Sequence, residues 1–220
     1  MCSSDLSGTT TETLPENLKL AWSRQLATPQ PAWPEDPRIG FDLVPEPVVV
    51  GRTLYLASTR TDSVTAYDTR TGQLKWRVFA DGPIRFAPLV ADGKVVFGSD
   101  DGCVYAVDAL DGHLLWLYDV TELLGGGRQQ GYVFRHRGVT YEDGVVYSAA
   151  GSFMFALDAK TGQPCRGFGE AGEIDLSEGI GNRFPGEYGV TSPPLVLGDL
   201  VVTGTVVLDN IRADAPGHWK

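Results

Sequence analysis

Few residues in this chain could do chemistry by type, and their spacing removes most reactions. Cys2, Cys103 and Cys165 are odd in number, with no CxxC pair and no metal-ligand spacing, so they imply no disulfide framework. His113, His136 and His218 are too scattered for an HExxH zinc site. Gly125-Gly126-Gly127-Arg128 lacks the Lys-Ser/Thr and the following helix of a phosphate loop, and reads as a connection between structural units. No Ser-His-Asp order and no nucleophile elbow is present. What remains are carboxylates, and three of them recur: Asp68, Asp108 and Asp158 precede Gly72, Gly112 and Gly162 at one spacing. A carboxylate that returns in every unit is turn chemistry, because a catalytic residue is needed only once.

Those aspartates sit in an internal repeat. Val64 to Trp76 (VTAYDTRTGQLKW) lines up with Val104 to Trp116 (VYAVDALDGHLLW) forty positions later, and Met154 to Cys165 (MFALDAKTGQPC) follows fifty positions on. Each copy predicts strand, tight turn and strand: the Asp side chain bonds the turn, and Gly accepts positive φ. A second hairpin precedes each copy and a fourth follows the last, with turns at Val50-Gly51-Arg52, Ala91-Asp92-Gly93, Glu142-Asp143-Gly144 and Leu197-Gly198-Asp199. Every unit thus supplies about four short strands in roughly 40 to 55 residues, the signature of a β-propeller blade. Trp76 and Trp116, with Trp22 from an earlier unit, suit the docking of one blade against the next.

Composition agrees. The 220 residues are 42% apolar, with 27 Gly and 14 Pro, which points to an all-β chain rich in turns. The 18 Lys+Arg against 28 Asp+Glu give a net charge of −10, which excludes a nucleic-acid phosphate backbone as partner. No apolar run approaches the roughly 18 residues of a membrane span. The start has neither the basic nor the apolar region of an export signal, so residues 1–20 are expected to be a disordered or artefactual segment and 21–220 a partial propeller of about four blades. Four units cannot close a ring of eight, so the chain is expected to be a fragment or to self-associate through open blade edges.

The AxDxxTGxxxW-like unit resembles the repeat of the pyrroloquinoline quinone (PQQ) β-propeller superfamily. That group holds quinoprotein dehydrogenases and the non-catalytic lipoprotein of the outer-membrane β-barrel assembly machine. From Pro31 to Asp119, including Arg85-Phe86-Ala87-Pro88, the chain is similar to generic repeat proteins of the group. From Gly131 onward it resembles membrane-bound quinoprotein glucose dehydrogenases, through Arg137-Gly138-Val139-Thr140-Tyr141, Gly162-Gln163-Pro164-Cys165, Thr191-Ser192-Pro193-Pro194 and Leu208-Asp209-Asn210. The adjacent Cys-Cys pair of quinoprotein alcohol dehydrogenases is missing, which favours the glucose side.

The resemblance implies roles for five residues. Arg137 would pair with a carboxylate of PQQ, as a bidentate guanidinium does; read as a residue alone, it is an exposed charge at a strand start. Thr191 and Ser192 would line the quinone pocket with hydroxyls, where the plain reading is a cap before Pro193-Pro194. Asp209 and Asn210 would help hold Ca²⁺ or Mg²⁺ with hard oxygen ligands, where the plain reading is a strand end. The implied activity is oxidation of a sugar or alcohol hydroxyl, with electrons passed to a quinone or cytochrome, in the periplasm or on the periplasmic side of a membrane. The general base would come from a later blade, so no residue of this chain is named for it. The family's His four positions before the RGV arginine is replaced by Val133, which leaves the non-catalytic scaffold as the alternative.

Overall fold

The repeated motif folds as its residues dictate. The computed structural model describes residues 13, 16–34, 45–121, 136–180 and 188–207, with the backbone alone at 136 and 137. Strands β1 (Val48–Val50), β2 (Thr53–Ser58), β3 (Ser63–Asp68) and β4 (Leu74–Phe79) form one antiparallel sheet in chain order. Strands β5 (Leu89–Ala91), β6 (Lys94–Ser99), β7 (Cys103–Asp108) and β8 (Leu114–Asp119) form the second. The third holds β9 (His136–Glu142), β10 (Val145–Ala150), β11 (Phe153–Asp158) and β12 (Glu173–Asp175). In the fourth unit β13 (Tyr188–Val190) pairs with β16 (Thr205–Val207), and β14 (Leu195–Leu197) with β15 (Leu200–Val202). No helix occurs among the described residues. The architecture is the expected all-β partial propeller.

The recurring aspartates do local work. Asp68 Oδ1 accepts from the N–H of Arg70 at 2.9 Å and of Thr71 at 3.0 Å, and from Thr71 Oγ1 at 3.1 Å. Asp158 repeats the pattern with Lys160 and Thr161. In the second blade Asp108 takes the Leu110 N–H at 2.7 Å, while Asp111 replaces the threonine and caps His113. The Thr71 amide holds the Asp68 carboxyl, and the Thr161 hydroxyl the Asp158 carboxyl, below the usual carboxylate range. Their contribution is therefore present at neutral pH and is lost as pH falls through those lowered folded-state values.

Each inner sheet is covered on both faces. Tyr55, Ala57, Val64, Ala66 and Trp76 of the first blade pack with Val95, Phe97, Tyr105 and Val107 of the second. The opposite face of the second blade, Val96, Val104, Ala106 and Trp116, packs with Val146, Ala150, Phe155 and Leu157 of the third. Strand β7 shows the division, since its successive residues serve alternate neighbours and Val104 to Val107 are all buried.

The tryptophans supply the register between blades. The Trp76 indole lies on Gly112 and the Trp116 indole on Gly162, with Trp22 on Gly72. Each ring N–H donates to a backbone carbonyl beside that glycine: Trp22 to Thr69 at 2.8 Å, Trp76 to Ala109 and Trp116 to Ala159 at 3.1 Å. A Cβ at Gly112 or Gly162 would meet the ring at 2.8 or 2.7 Å, so the turn glycine serves both the positive φ and the docking.

One element departs from the repeat. After Gly162 the third copy has Pro164 and Cys165 where the others carry the body of an outer strand, and only isolated bonds continue the ladder: Leu157 bridges Pro164, and the Cys165 N–H reaches Ala156 O at 2.8 Å. Proline lacks the donor a strand needs. The outer strand β12 arrives only at Glu173, after turns through Phe168 that pack its ring 5.7 Å from Tyr147.

Gly162 and Gly93 share φ +72°, but nothing lies within 4 Å of a Cβ at Gly93. Gly93→Ala should therefore cost only the left-handed penalty of about 1 kcal/mol, and Gly162→Ala about 2 kcal/mol more from overpacking. Urea denaturation of the two variants measures the difference, and equal costs would refute the docking role of the glycine.

Candidate functional site

The first strands of successive blades meet in the centre, β1 against β5, β5 against β9 and β9 against β14. Their end-of-strand pairs, Ala91 with Lys94, Glu142 with Val145 and Leu197 with Leu200, align the blades residue by residue. In that alignment Arg85, His136 and Thr191 share one blade position, and Phe86, Arg137 and Ser192 share the next. Arg137 and Ser192, from distant parts of the chain, thus occupy the same place on neighbouring blades, with Thr191 one position before.

The close approach at the hub turns on Gly138. Its φ is +89°, and a Cβ there would lie 3.1 Å from Pro193 Cγ and 3.7 Å from Phe86 Cβ. Opposite it the ladder slips between Ser148 and Ala150, a β-bulge on the strand pair that carries Arg137. Buried Ser148 donates its hydroxyl to Gly138 O at 3.1 Å, and Thr140 Oγ1 donates to Pro194 O. The backbone of Arg137 is therefore held beside the segment Thr191–Pro194.

Thr191 and Ser192 interrupt the inner hairpin of the fourth unit. Thr191 N–H donates to Gly204 O at 2.8 Å, Gly204 N–H donates to Ser192 Oγ at 2.7 Å, and Thr203 Oγ1 donates to Ser192 O at 3.0 Å. The Ser192 oxygen is thus already an acceptor in a local clasp, and it also lies 3.4 Å from the Thr203 hydroxyl. Asp209, Asn210, Val133 and the Gly125–Arg128 stretch lie outside the described residues.

Arg85 is a residue whose setting the sequence does not announce. Its guanidinium is buried and faces Asp100 through Nε at 2.9 Å and Nη2 at 3.2 Å, and Trp33 Nε1 donates to the same carboxylate at 2.9 Å. The nearby Cys103 thiol is pushed up to about 12 by burial and then by the Asp101 charge, and the hydroxyl of Tyr105, bonded to Asp101 at 2.6 Å, is raised by burial and by that bond. Among the described residues one trio has metal-like proximity, Asp108, Asp111 and His113, on the exposed β7–β8 turn. Its aspartates are the turn-capping groups already described.

Comparison with known proteins decides the family. Residues 80–218 match the model of the glucose/ethanol/alcohol dehydrogenase β-propeller domain, designated PQQ. The chain belongs to that family. This PQQ-family propeller is 27% identical over 180 residues to a quinate/shikimate dehydrogenase (quinone) of Acinetobacter baylyi, covering 69% of this chain and 22% of that protein. It is 28% identical over 138 residues to the outer membrane protein assembly factor BamB of Shewanella oneidensis, covering 62% of this chain and 32% of that one. BamB of Moraxella catarrhalis shares the fold at a TM-score of 0.52 and 17% identity, over 70% of this chain and 40% of that structure. The chain spans about a fifth to a third of the length of these curated relatives.

The raised Cys103 thiol excludes thiolate chemistry near neutral pH. Iodoacetamide at pH 8 should label Cys103 at least about 100-fold more slowly in the native chain than after denaturation, because so little thiolate is present. Mass spectrometry of the labelled peptide reads this, and equal rates would contradict a thiol half-buried beside the Asp101 charge.

Proposed function

We propose that this chain is part of a PQQ-dependent dehydrogenase that oxidises a sugar or alcohol hydroxyl in the periplasm or at the periplasmic side of a membrane, with a quinone or cytochrome as electron acceptor. The observation that carries the reading is the convergence, within a PQQ-family propeller, of the Arg137 backbone with Thr191 and Ser192 at one hub. A cationic side chain and two hydroxyls at equivalent and neighbouring places on adjacent blades suit a flat, carboxylate-bearing quinone, which binds guanidinium bidentately and hydroxyls singly. Arg137 would hold a carboxylate, Thr191 and Ser192 would hydrogen-bond the ring system, and Asp209 with Asn210 would hold Ca²⁺ or Mg²⁺. When bound, the quinone supplies a two-electron acceptor for the substrate's hydride. The Gly138 approach and the Ser192–Gly204 clasp keep the two sides of that site at fixed separation. No general base is assigned to a residue of this chain. We place residues 21–220 in a single propeller domain.

The second reading, a propeller scaffold without cofactor, is supported by the similarity to the assembly factor and by Val133 in the place of the family's histidine. PQQ with Ca²⁺ or Mg²⁺ separates the two. Saturable quenching of tryptophan fluorescence is expected from the first, and Arg137→Ala should weaken it at least about tenfold, the loss of a charge-assisted bidentate contact. A folded chain that shows no quenching would favour the scaffold.

A further inference from the structure

Away from that site, a cavity of about 550 Å³ opens between the extended segment Arg24–Pro29 and the first blade. Neither Arg137 nor Thr191 nor Ser192 lines it. Four arginines do: Arg24, Arg60, Arg77 and Arg85, with Thr59 and Thr65 among the hydroxyls. Among the described residues that line it there is no Asp, Glu or Lys, although the chain carries 28 acidic residues against 18 basic ones.

Among the described residues, the charges in this cavity are only partly answered. Arg85 at its floor is neutralised by Asp100, which lies outside the lining. The other three bond neutral acceptors: Arg24 Nη2 donates to Gly72 O at 2.8 Å, Arg77 Nε to Thr65 Oγ1 at 2.9 Å, and Arg60 Nη1 to Gln30 Oε1. The Arg24 guanidinium also lies 4.7 Å over the Tyr67 ring, which fixes it against the wall. A guanidinium has five N–H donors, so each of the three retains most of its fork. Arg24, Arg60 and Arg77 are exposed and share one space, and an anion with two coplanar oxygens fits such a fork best. A volume in the range of small-molecule sites, with hydroxyl-bearing walls, admits a hydroxylated carbon chain behind that carboxylate.

We propose that this cavity binds a small polyhydroxy carboxylate, with Arg60 and Arg77 taking the carboxylate. The anion preference follows from the arginines alone, whereas the hydroxylated chain rests on the dehydrogenase reading. Gluconate and glucitol differ only in one terminal group, carboxylate or hydroxymethyl, and both are titrated into the full chain by calorimetry. Saturable binding of gluconate is expected, with glucitol at least about tenfold weaker. Arg60→Gln and Arg77→Gln should each weaken gluconate at least about fivefold, with unchanged thermal melting and unchanged quenching by PQQ. Equal affinity for the two compounds, no binding of either, or gluconate binding indifferent to both substitutions would each overturn the proposal. So would inorganic phosphate bound as tightly as gluconate. Loss of PQQ quenching with gluconate binding intact would count against the dehydrogenase reading alone.

Discussion

The stacking of an indole on a glycine is the contact from which the rest of this structure follows. A propeller blade is a small sheet with two apolar faces, and it gains nothing from burial unless its neighbour sits at a fixed distance and angle. The Trp76 and Trp116 rings set that distance, because each lies flat on the only residue type that leaves room for it and anchors its N–H to the carbonyl alongside. Removing a buried aromatic of this kind typically costs about 3–5 kcal/mol, a large share of what a domain has to spare. Trp22 makes the same contact on Gly72, so the segment around it holds the place of an outer strand against the first blade.

Once the outer strands are locked, the inner strands have little freedom. They converge, and equivalent positions on successive blades are forced into proximity whatever residue they carry. The hub therefore puts Phe86, Arg137 and Ser192 on three neighbouring blades at one level, although 106 positions separate the first from the last. The repeat supplies the geometry and the departures from the repeat supply the chemistry. Gly138 is the point where the two meet, since its missing side chain admits Pro193 and the bulge opposite it sits beside the strand position of Arg137.

Much of this fold is written locally and so is readable from residue order. The Asp and Gly of each turn act within five positions, which is why the blade hairpins and their central turns fall where the sequence predicts them. The outer strand of the third blade is different: Pro164 breaks the repeat, but nothing short-range says how far the chain travels before pairing resumes at Glu173. The candidate pocket is legible only as a likeness, because its members meet through ring geometry. The arginine cavity leaves no trace in the order of residues at all. Arg24, Arg60, Arg77 and Arg85 belong to an extended segment, a turn, a strand and the connection before β5, and only packing shows that they face one space.

Recurrence also sorts the charged residues by role. Asp68, Asp108 and Asp158 recur, and each is consumed by the amides of its own turn. Asp108 and Asp111 lie close to His113 for the same reason, so proximity there reflects a folded turn and needs no ion to explain it. Arg85 does not recur: its equivalents are His136 and Thr191, and its buried charge faces Asp100, which Trp33 also bonds. Arg60 and Arg77 do not recur either, and no carboxylate among the described residues answers them. In a chain this acidic, a space where the described carboxylates answer Arg85 alone is an arrangement in which a bound anion gains from arginines that are already in place.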